Sequence, residues 1–451
     1  MIKRTLIAAA VAAAFAAPAH AQDDLRAELQ AMKAEIQRLR DEVSELKKQQ
    51  GTTAPAAPAV AAAPAGAAPT PGEAAITGPA AASTTRTAAA APAPVAAGSE
   101  TGSGLSLFGY GEASYSRPKD ASQATATVGR FVLGGGYSFD DKTKIVSELE
   151  IEKAVSSASD PGEVEVEQMY IEHRLTDNIA TKLGLFLIPS GLLNENHEPP
   201  NYYGVHRNFV ETAIIPTTWR ELGVGFTGNT EFGLRWDAGV TTTTDLSKWD
   251  AADPEVAESP LGAIHQEGAD AKAANFGLYG ALNWNGVPGL NVGGSVFGSK
   301  VGQKTPDFPS PDAKMVLFEG HARWTPGDWD LSALYAEGRF SNTEAFNLTL
   351  VGNPYPVPKR FNGWYLQGAY KVWEAGTYSL FPFLRYEEYN TGRSYDDVLA
   401  PYGYTGLPTN KVTTFGATFK LHPQVVLKAD YQWFNENHER DAINLGVGFM
   451  Y

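Results

Sequence analysis

The sequence contains no cysteine among its 451 residues, and it has no apolar run long enough to cross a membrane as a helix. The absence of cysteine excludes disulfide bonds, thiolate metal sites and cysteine nucleophiles. The absence of a stretch of about 18 apolar residues excludes a transmembrane helix. An excess of basic residues is also missing, because residues 104–451 hold 27 basic and 42 acidic residues and so carry the whole net charge of −15. This balance excludes a nucleic-acid binder.

The first residues read as a secretory signal peptide. Lys3 and Arg4 precede an Ala-rich apolar run, which is followed by Pro18 and the small-x-small triplet Ala19-His20-Ala21. The apolar run is too short for a membrane span, and the triplet has the form of a cleavage site. Residues 1–21 are therefore predicted to direct export and to be removed.

Residues 22–50 carry a heptad pattern. Their apolar residues follow one another at alternating spacings of four and three: Leu25, Leu29, Met32, Ile36, Leu39, Val43 and Leu46. Three unbroken heptads predict an α-helical coiled coil, and the flanking charges pair as in a parallel assembly. The alternative is a single amphipathic helix that packs on its own domain. The coil alone leaves dimer or trimer open, and the barrel predicted below favours a homotrimer.

Residues 51–103 consist almost wholly of Ala, Pro, Gly, Thr and Ser. Such a segment cannot bury a core, so it is predicted to be a disordered linker.

Residues 104–451 alternate strands with turns of two lengths. Seven short turns recur, at 140–142, 176–178, 228–230, 285–288, 326–328, 374–376 and 422–424, and long loops lie between them. With both ends of this region on the short-turn side, seven short turns require eight long loops and sixteen strands. The region is therefore predicted to be all-β, a 16-stranded antiparallel transmembrane β-barrel, which is wide enough for an aqueous channel.

The last nine residues, 443–451, alternate apolar residues with small or polar ones and end on an aromatic. This pattern is typical of a strand whose one face meets lipid. It predicts that Ile443, Leu445 and Val447 contact outer-membrane lipid, and that the end at Tyr451 is recognised by the outer-membrane barrel assembly machinery. The expected location is the outer membrane of a Gram-negative cell, with the coiled coil and linker in the periplasm.

The opposite strand faces carry mixed charges and are predicted to line the pore. The basic residues are Arg130, Lys182, Arg235, Arg323, Lys371, Arg385, Lys420 and Lys428. The acidic residues are Glu148, Glu150, Glu152, Glu172, Asp237, Glu319, Glu387 and Asp430. Fixed charges of this kind select ions by sign. The alternative, for any one of these residues, is that it belongs to a solvated wall and forms an ion pair with a neighbouring residue instead of contacting a solute.

The loop over residues 189–218 follows the fifth predicted strand and is dense in histidine, aromatic, proline and charged residues. We expect it to fold inward and narrow the pore, with these side chains at the constriction: Glu195, His197, Tyr202, Tyr203, His206 and Arg207. A lid over the barrel mouth is the alternative.

The sequence contains no complete enzyme motif in its required context. His197-Glu198 resembles the opening of a zinc-protease helix, but Pro199 and Pro200 prevent a helix and Asn201 replaces the second histidine. No nucleophile elbow, phosphate loop or dinucleotide fingerprint is present in its required context. No metal, no cofactor and no enzymatic activity are expected. A hydrolase built at the barrel rim stays as a minor alternative, because its residues need only meet in space.

Several stretches resemble the phosphate-selective porin O/P family. They are Gly184-Leu185-Phe186-Leu187-Ile188-Pro189, His197-Glu198-Pro199-Pro200, Tyr203-Gly204-Val205-His206-Arg207, residues 214–221 and residues 381–386. The resemblance covers about residues 105–451, and the order of coiled coil, linker and barrel is similar to that of relatives that import dicarboxylates. The resemblance implies a homotrimer of sixteen-stranded barrels in the outer membrane.

We therefore expect a water-filled channel for passive diffusion of small hydrophilic solutes or ions, with phosphate and other small anions as candidates. Phosphate-specific members of the family are expected to present ladders of arginine and lysine, whereas this barrel is acidic overall. A locally basic constriction would still select anions, because the field at the narrowest point matters more than net charge. The alternative function is a tether, in which the coiled coil and linker bind the cell wall or a periplasmic partner.

Overall fold

The computed structural model describes residues 104–157 and 162–451, together with the single residue Arg38. The predicted signal peptide, the linker and every core position of the predicted coiled coil lie outside the described residues. Within the described part of the chain, no helix has the length and apolar character needed to cross a membrane.

Sixteen antiparallel strands form one closed sheet, as the sequence predicted. Their bounds are β1 Gly104–Pro118, β2 Thr125–Ser138, β3 Thr143–Glu152, β4 Glu163–Thr176, β5 Ile179–Leu187, β6 Arg220–Asn229, β7 Leu234–Thr241, β8 Gly277–Trp284, β9 Leu290–Lys300, β10 Lys314–Trp324, β11 Trp329–Ser341, β12 Arg360–Tyr370 with its continuation Trp373–Ala375, β13 Tyr378–Ser394, β14 Asn410–His422, β15 Val425–Phe434 and β16 Ala442–Met450. Both segments of β12 pair with β13. Because β16 pairs with β1, the sheet has no free edge.

The connections follow the predicted alternation of short and long. Short turns join β2 to β3 and every second pair after it, while long loops of 6 to 35 residues join the others, the longest being residues 242–276. Gly327 and Gly376 adopt a φ of 64° in two of the short turns, a conformation that a residue with a Cβ rarely adopts. The first strand begins and the last strand ends on the short-turn side, where Gly109 and Tyr451 exchange backbone hydrogen bonds of 3.2 and 2.9 Å.

Within the described part of the barrel region, residues 104–157 and 162–451, the helices are short and lie in the connections. The α-helices are α1, Glu255–Glu258, and α2, Glu344–Thr349, and a π-type turn spans Val210–Ile214. Single 3₁₀ turns lie at Ala121–Gln123, Pro199–Asn201, Leu246–Lys248, Gly262–Ile264, Asp397–Tyr402 and His438–Arg440. Local capping explains some of them: the Asp245 carboxylate, for example, accepts a hydrogen bond from the backbone N–H of Ser247.

The outer face of the barrel is the apolar one. In β16, Ile443 is 46% exposed and Leu445 is 49% exposed, whereas Asn444 between them is 1% exposed and points inward. The outward direction predicted for the apolar side chains of the last strand is therefore confirmed, and an apolar outer face is typical of barrels that lie in lipid.

An apolar core lies inside the barrel. It is built mainly from the loops over residues 188–219 and 242–276 and from the inner faces of β9 to β12, and single residues of β4, β5, β8, β13, β14 and β15 join it. Trp219 packs on Phe297 with ring centroids 4.6 Å apart, and Leu246, Met315 and Phe340 are fully buried around them. Packed side chains occupy this part of the lumen.

Candidate functional site

The loop over residues 188–219 lies inside the barrel and spans from β5 to the strands on the other side. The Val205 N–H donates to Asp430 of β15 at 2.6 Å, and the Phe209 N–H donates to Glu387 of β13 at 2.7 Å. The Tyr203 hydroxyl donates to Asp330 of β11 at 3.2 Å. Carboxylates of three different strands thus hold the loop inside the barrel.

Two polar residues that the sequence did not single out fix the shape of this loop. Glu211 accepts hydrogen bonds from the backbone N–H groups of Leu192 and Leu193, both at 2.7 Å, and from the Tyr365 hydroxyl at 2.8 Å. Asn194 connects the two ends of the loop, because its side chain bonds to the backbone of both Ile188 and Trp219. No spacing or motif marks such residues, since their partners become neighbours only after folding.

The first predicted constriction residue, Glu195, contacts two predicted lumen residues. Its carboxylate lies 3.3 Å from Arg235 and 3.6 Å from Lys182, and Arg235 is also paired with Asp237 at 2.9 Å. Burial alone would raise the pKa of Glu195, but Arg235 and Lys182 lower it below the ordinary value. Each charge in this group has an opposite charge beside it.

A second group joins the loop to the acidic wall of β3 and β4. His197 Nε2 lies 2.9 Å from the fully buried Glu167, and Arg130 lies 3.0 Å from Glu112 and 3.8 Å from Glu150. The predicted constriction residue Arg207 is buried inside the barrel beside this group. Most of these acids thus face a cation or histidine.

The remaining predicted lumen residues lie outside the loop contacts. Glu148 accepts from Gln168 at 2.7 Å, Glu319 is paired with His321 at 2.8 Å, and Glu152 lies half-buried at the end of β3. Glu172 is paired with Lys144 at 3.0 Å.

Lys371 lies at the short-turn end of the barrel. It is paired there with Asp328 at 3.2 Å and Glu374 at 2.5 Å. It is not brought together with the residues around the loop.

A third group is basic and lies between the loop and strands β10 and β13 to β15. Lys428 places Nζ 3.6 Å from the ring centroid of Tyr202, and the Lys420 ammonium donates to the Pro200 carbonyl at 3.2 Å. Among the described residues, neither lysine has a carboxylate within ion-pair distance. The Lys428 Nζ is moreover buried without a hydrogen-bond partner there.

Two other cations complete the basic group. Arg385 is fully buried and paired with Glu387 at 3.0 Å, while one of its two terminal nitrogens, Nη2, has no hydrogen-bond partner among the described residues. Arg323 binds Asp330 through two hydrogen bonds of 3.0 and 2.7 Å. The basic group is defined here as Arg323, Arg385, Lys420 and Lys428.

Two cavities adjoin the basic group. One of about 100 Å³ is lined by Arg323, Lys420, Thr418 and the loop residues 200–203. The other, of about 130 Å³, is lined by Lys428, His206, Glu112 and parts of β1, β2 and β16. Each cavity is large enough for a few water molecules or one small ion.

His206 lines the second cavity, and its side chain is exposed there. Its Nε2 is 2.9 Å from the Ser116 hydroxyl. The surrounding protein lowers the pKa of His206, against the opposing effects of Asp430 and Glu112. The ring is therefore neutral at neutral pH.

The sixteen-stranded barrel with a loop folded into its lumen has the fold of outer-membrane porins. Salmonella typhi OmpF, solved in complex with daunomycin, is 14% identical, with a TM-score of 0.56 over 78% of this chain and 98% of that one. A loop-deletion mutant of OmpT, an outer-membrane protein of Vibrio cholerae, is 12% identical, with a TM-score of 0.50 over 77% of this chain and 99% of that one.

The chain belongs to the same family as a protein of Aquifex aeolicus (strain VF5) that carries the description "Uncharacterized protein". The two are 31% identical over 366 residues, which make up 77% of this chain and 80% of the relative. No protein-family model matches the chain. The resemblance to the phosphate-selective porin O/P family therefore stays a prediction.

Proposed function

We propose that this protein is an outer-membrane porin whose channel conducts small anions by passive diffusion. The observation that carries the proposal is the pair Lys420 and Lys428, two cations inside the lumen without a paired carboxylate among the described residues. Fixed charge at a narrow passage selects ions of the opposite sign. The fold of channels, and not of enzymes, also supports the expectation that the chain catalyses no reaction.

The acidic net charge of the barrel does not oppose this proposal. Glu195 is compensated by Arg235 and Lys182, and Glu112 by Arg130, all within the lumen. An ion responds to the uncompensated charge nearest to it, because protein walls of low dielectric focus the field. Beside loop residues 200–203, Lys420 and Lys428 supply positive charge that no carboxylate pairs among the described residues.

The basic group also has the donors that a small oxyanion requires. The Lys428 ammonium offers three donors, the Lys420 ammonium offers two besides the one that binds the Pro200 carbonyl, and the Thr418 hydroxyl beside them has no hydrogen-bond partner among the described residues. Thr418 and Lys428 are direct cross-strand partners on β14 and β15, so their side chains share one face. Phosphate and carboxylate oxygens accept such charge-assisted hydrogen bonds.

Reversal potentials of the full-length protein in planar bilayers test the proposal. Under a KCl gradient, the wild type should favour chloride, and the double variant Lys420→Gln/Lys428→Gln should lose most of that preference. About 1 kcal/mol of interaction for each charge removed corresponds to about a fivefold change in relative permeability. Lys371→Gln is the matched control, because it removes a cation that is already paired at the short-turn end. A cation-selective wild type, or equal shifts in both variants, contradicts the proposal.

The same recordings address the solute. Inorganic phosphate added to chloride should reduce the chloride current if phosphate occupies the basic group, and succinate provides the corresponding test for dicarboxylates. A block that persists in Lys420→Gln/Lys428→Gln would place the anion elsewhere.

We also propose that residues 22–50 hold three copies together in the periplasm, and that the assembly machinery recognises the strand ending at Tyr451. The heptads and the entry of the chain into the barrel at the short-turn end support the first proposal, since short turns of outer-membrane barrels face the periplasm. Deletion of residues 22–103 should leave conductance unchanged and weaken the trimer. If cell-wall association is lost instead, the segment acts as a tether.

A further inference from the structure

Two pairs of basic side chains face outward at the long-loop end of strands β9 to β12. Lys300 pairs directly with Lys314 across β9 and β10, and Arg339 pairs directly with Arg360 across β11 and β12. They alternate along their strands with inward residues such as the fully buried Phe340, so they project from the outer side of the barrel. Like charges directly opposite on neighbouring strands destabilise a sheet. An anion outside the protein would remove that repulsion.

These four side chains lie at the height of one boundary of the membrane's apolar layer, the boundary nearer to the long loops. Lys314 and Arg339 each stand ten positions from a tryptophan at the short-turn end of the same strand, Trp324 and Trp329. Ten residues at about 3.4 Å each, tilted by about 40°, rise by about 26 Å along the barrel axis. The apolar band of an outer-membrane barrel is about 25 Å tall. The cations therefore lie where acyl chains give way to headgroups.

The carboxylates on this surface do not neutralise the cations. Arg339 and Arg360 share one carboxylate, that of Glu337, at 2.6 and 2.5 Å. Lys300 is paired with Asp312 at 2.7 Å, a pair whose side chains are both at least half exposed. An exposed pair of this kind contributes little and exchanges readily with other ions. Two carboxylates thus face four cations.

We infer that this surface, the basic rim formed by Lys300, Lys314, Arg339 and Arg360, binds the phosphates of the acylated sugar lipid in the outer leaflet of the outer membrane. Long loops of outer-membrane barrels face the cell exterior, so the basic rim meets that leaflet. Guanidinium groups bind phosphate through two parallel hydrogen bonds, and clustered basic residues at a membrane surface bind anionic headgroups.

The apolar surface below the basic rim fits the acyl chains of such a lipid. Val296, Val316 and Leu366 are 49%, 40% and 55% exposed on the outer face of β9, β10 and β12. The Arg339 guanidinium lies 5.6 Å from the ring centroid of Phe318, between the charged and apolar zones. This inference goes beyond the proposed permeation of anions and does not depend on it, because the basic rim faces away from the lumen.

Lipid binding to the purified full-length protein tests the inference, with lipid A and its dephosphorylated form as probes in native mass spectrometry. Wild type should bind lipid A, and Lys300→Gln/Lys314→Gln should bind it at least tenfold more weakly. Arg339→Lys, which keeps the charge but removes the fork of donors, should give a smaller loss. The matched control is Lys142→Gln/Arg174→Gln, which removes two exposed cations at the short-turn end.

Equal affinity for lipid A and its dephosphorylated form would overturn the inference, as would an equal loss in the control. If Lys300→Gln/Lys314→Gln dissociates the oligomer while lipid A affinity stays unchanged, the basic rim is a contact between copies instead. Reversal potentials of the same variant should match those of wild type, which separates this test from that of the permeation proposal.

Discussion

The ammonium group of Lys428 lies 3.6 Å from the centroid of the Tyr202 ring, and this contact connects strand β15 to the loop inside the barrel. Tyr202 also donates a hydrogen bond of 2.7 Å from its hydroxyl to Glu112 of β1. One side chain of the loop thus holds a cation of one strand and a carboxylate of another.

Two substitutions of Tyr202 should separate the contribution of its ring to stability from that of its hydroxyl. Tyr202→Phe keeps the ring under Lys428, whereas Tyr202→Leu removes it. Because a desolvated cation–π contact contributes about 2 kcal/mol, we expect Tyr202→Leu to lower the free energy of unfolding by about that much more than Tyr202→Phe. Denaturant unfolding in detergent measures both, and a cycle with Lys428→Met should give a coupling energy of similar size. No coupling would show that the contact contributes nothing.

Loss of the Glu211 carboxylate should release the loop. Glu211→Ala leaves the N–H groups of Leu192 and Leu193 and the Tyr365 hydroxyl without their acceptor in a buried place. We expect a loss of about 3 kcal/mol or more, together with larger and noisier single-channel currents. Glu344→Ala, at an exposed position of α2, is the control. Steady wild-type currents from Glu211→Ala would show that the loop needs no such anchor.

A side chain at Gly448 should push the loop out of place. A Cβ at this position would lie 2.3 Å from the Cβ of Pro199, so Gly448→Leu cannot fit without movement of the loop. Overpacking of this kind costs about 1–3 kcal/mol. Gly135→Leu is the matched control, because a Cβ there meets nothing within 4 Å. Unfolding midpoints compare the two variants, and equal midpoints would contradict the close contact.

Acidification should increase anion selectivity through His206. Burial lowers the pKa of this ring, so it is neutral above its ordinary value of about 6.5 and gains a positive charge only below that pH. Reversal potentials recorded from pH 8 to pH 4.5 should therefore show a rise in anion preference that begins below about pH 6.5. His206→Gln should lack this step, while titration of carboxylates remains. A midpoint above the ordinary value would show that Asp430 and Glu112 outweigh burial.

A charge on the lipid face of β16 should destabilise the barrel. Leu445 is half-exposed to lipid near the middle of its strand. Leu445→Arg is expected to lower the free energy of unfolding from lipid vesicles by about 2–4 kcal/mol, whereas Leu445→Ala should have a much smaller effect. Equal effects of the two would mean that this face is not in contact with lipid.

The sequence predicted the barrel because local features determine it. Period-two alternation places Ile443 and Leu445 on one face, and the turn glycines Gly327 and Gly376 mark strand ends without reference to distant residues. Strand number then follows from the count of turns, which is a property of the chain order alone.

The site was less accessible to the same reasoning. Inward direction was predictable for Lys420 and Lys428, but their lack of a paired carboxylate depends on which side chain stands opposite in the lumen. Asp430 is close in sequence to Lys428, yet it binds the Val205 N–H and Asn444. Asn194 and Glu211 carry no pattern, because loop anchoring depends on three-dimensional neighbours.

Because an apolar core lies inside the lumen, one run of strand β10 exposes apolar side chains on both faces until the barrel closes. Met315 and Leu317 point to that core, while Val316 and Phe318 point to lipid, so this run has no polar face. An ordinary barrel strand keeps one water-compatible side during its passage across the periplasm. The run from Met315 to Phe318 has none, and until its neighbours pair with it, it is a preferred site for aggregation or for chaperone binding.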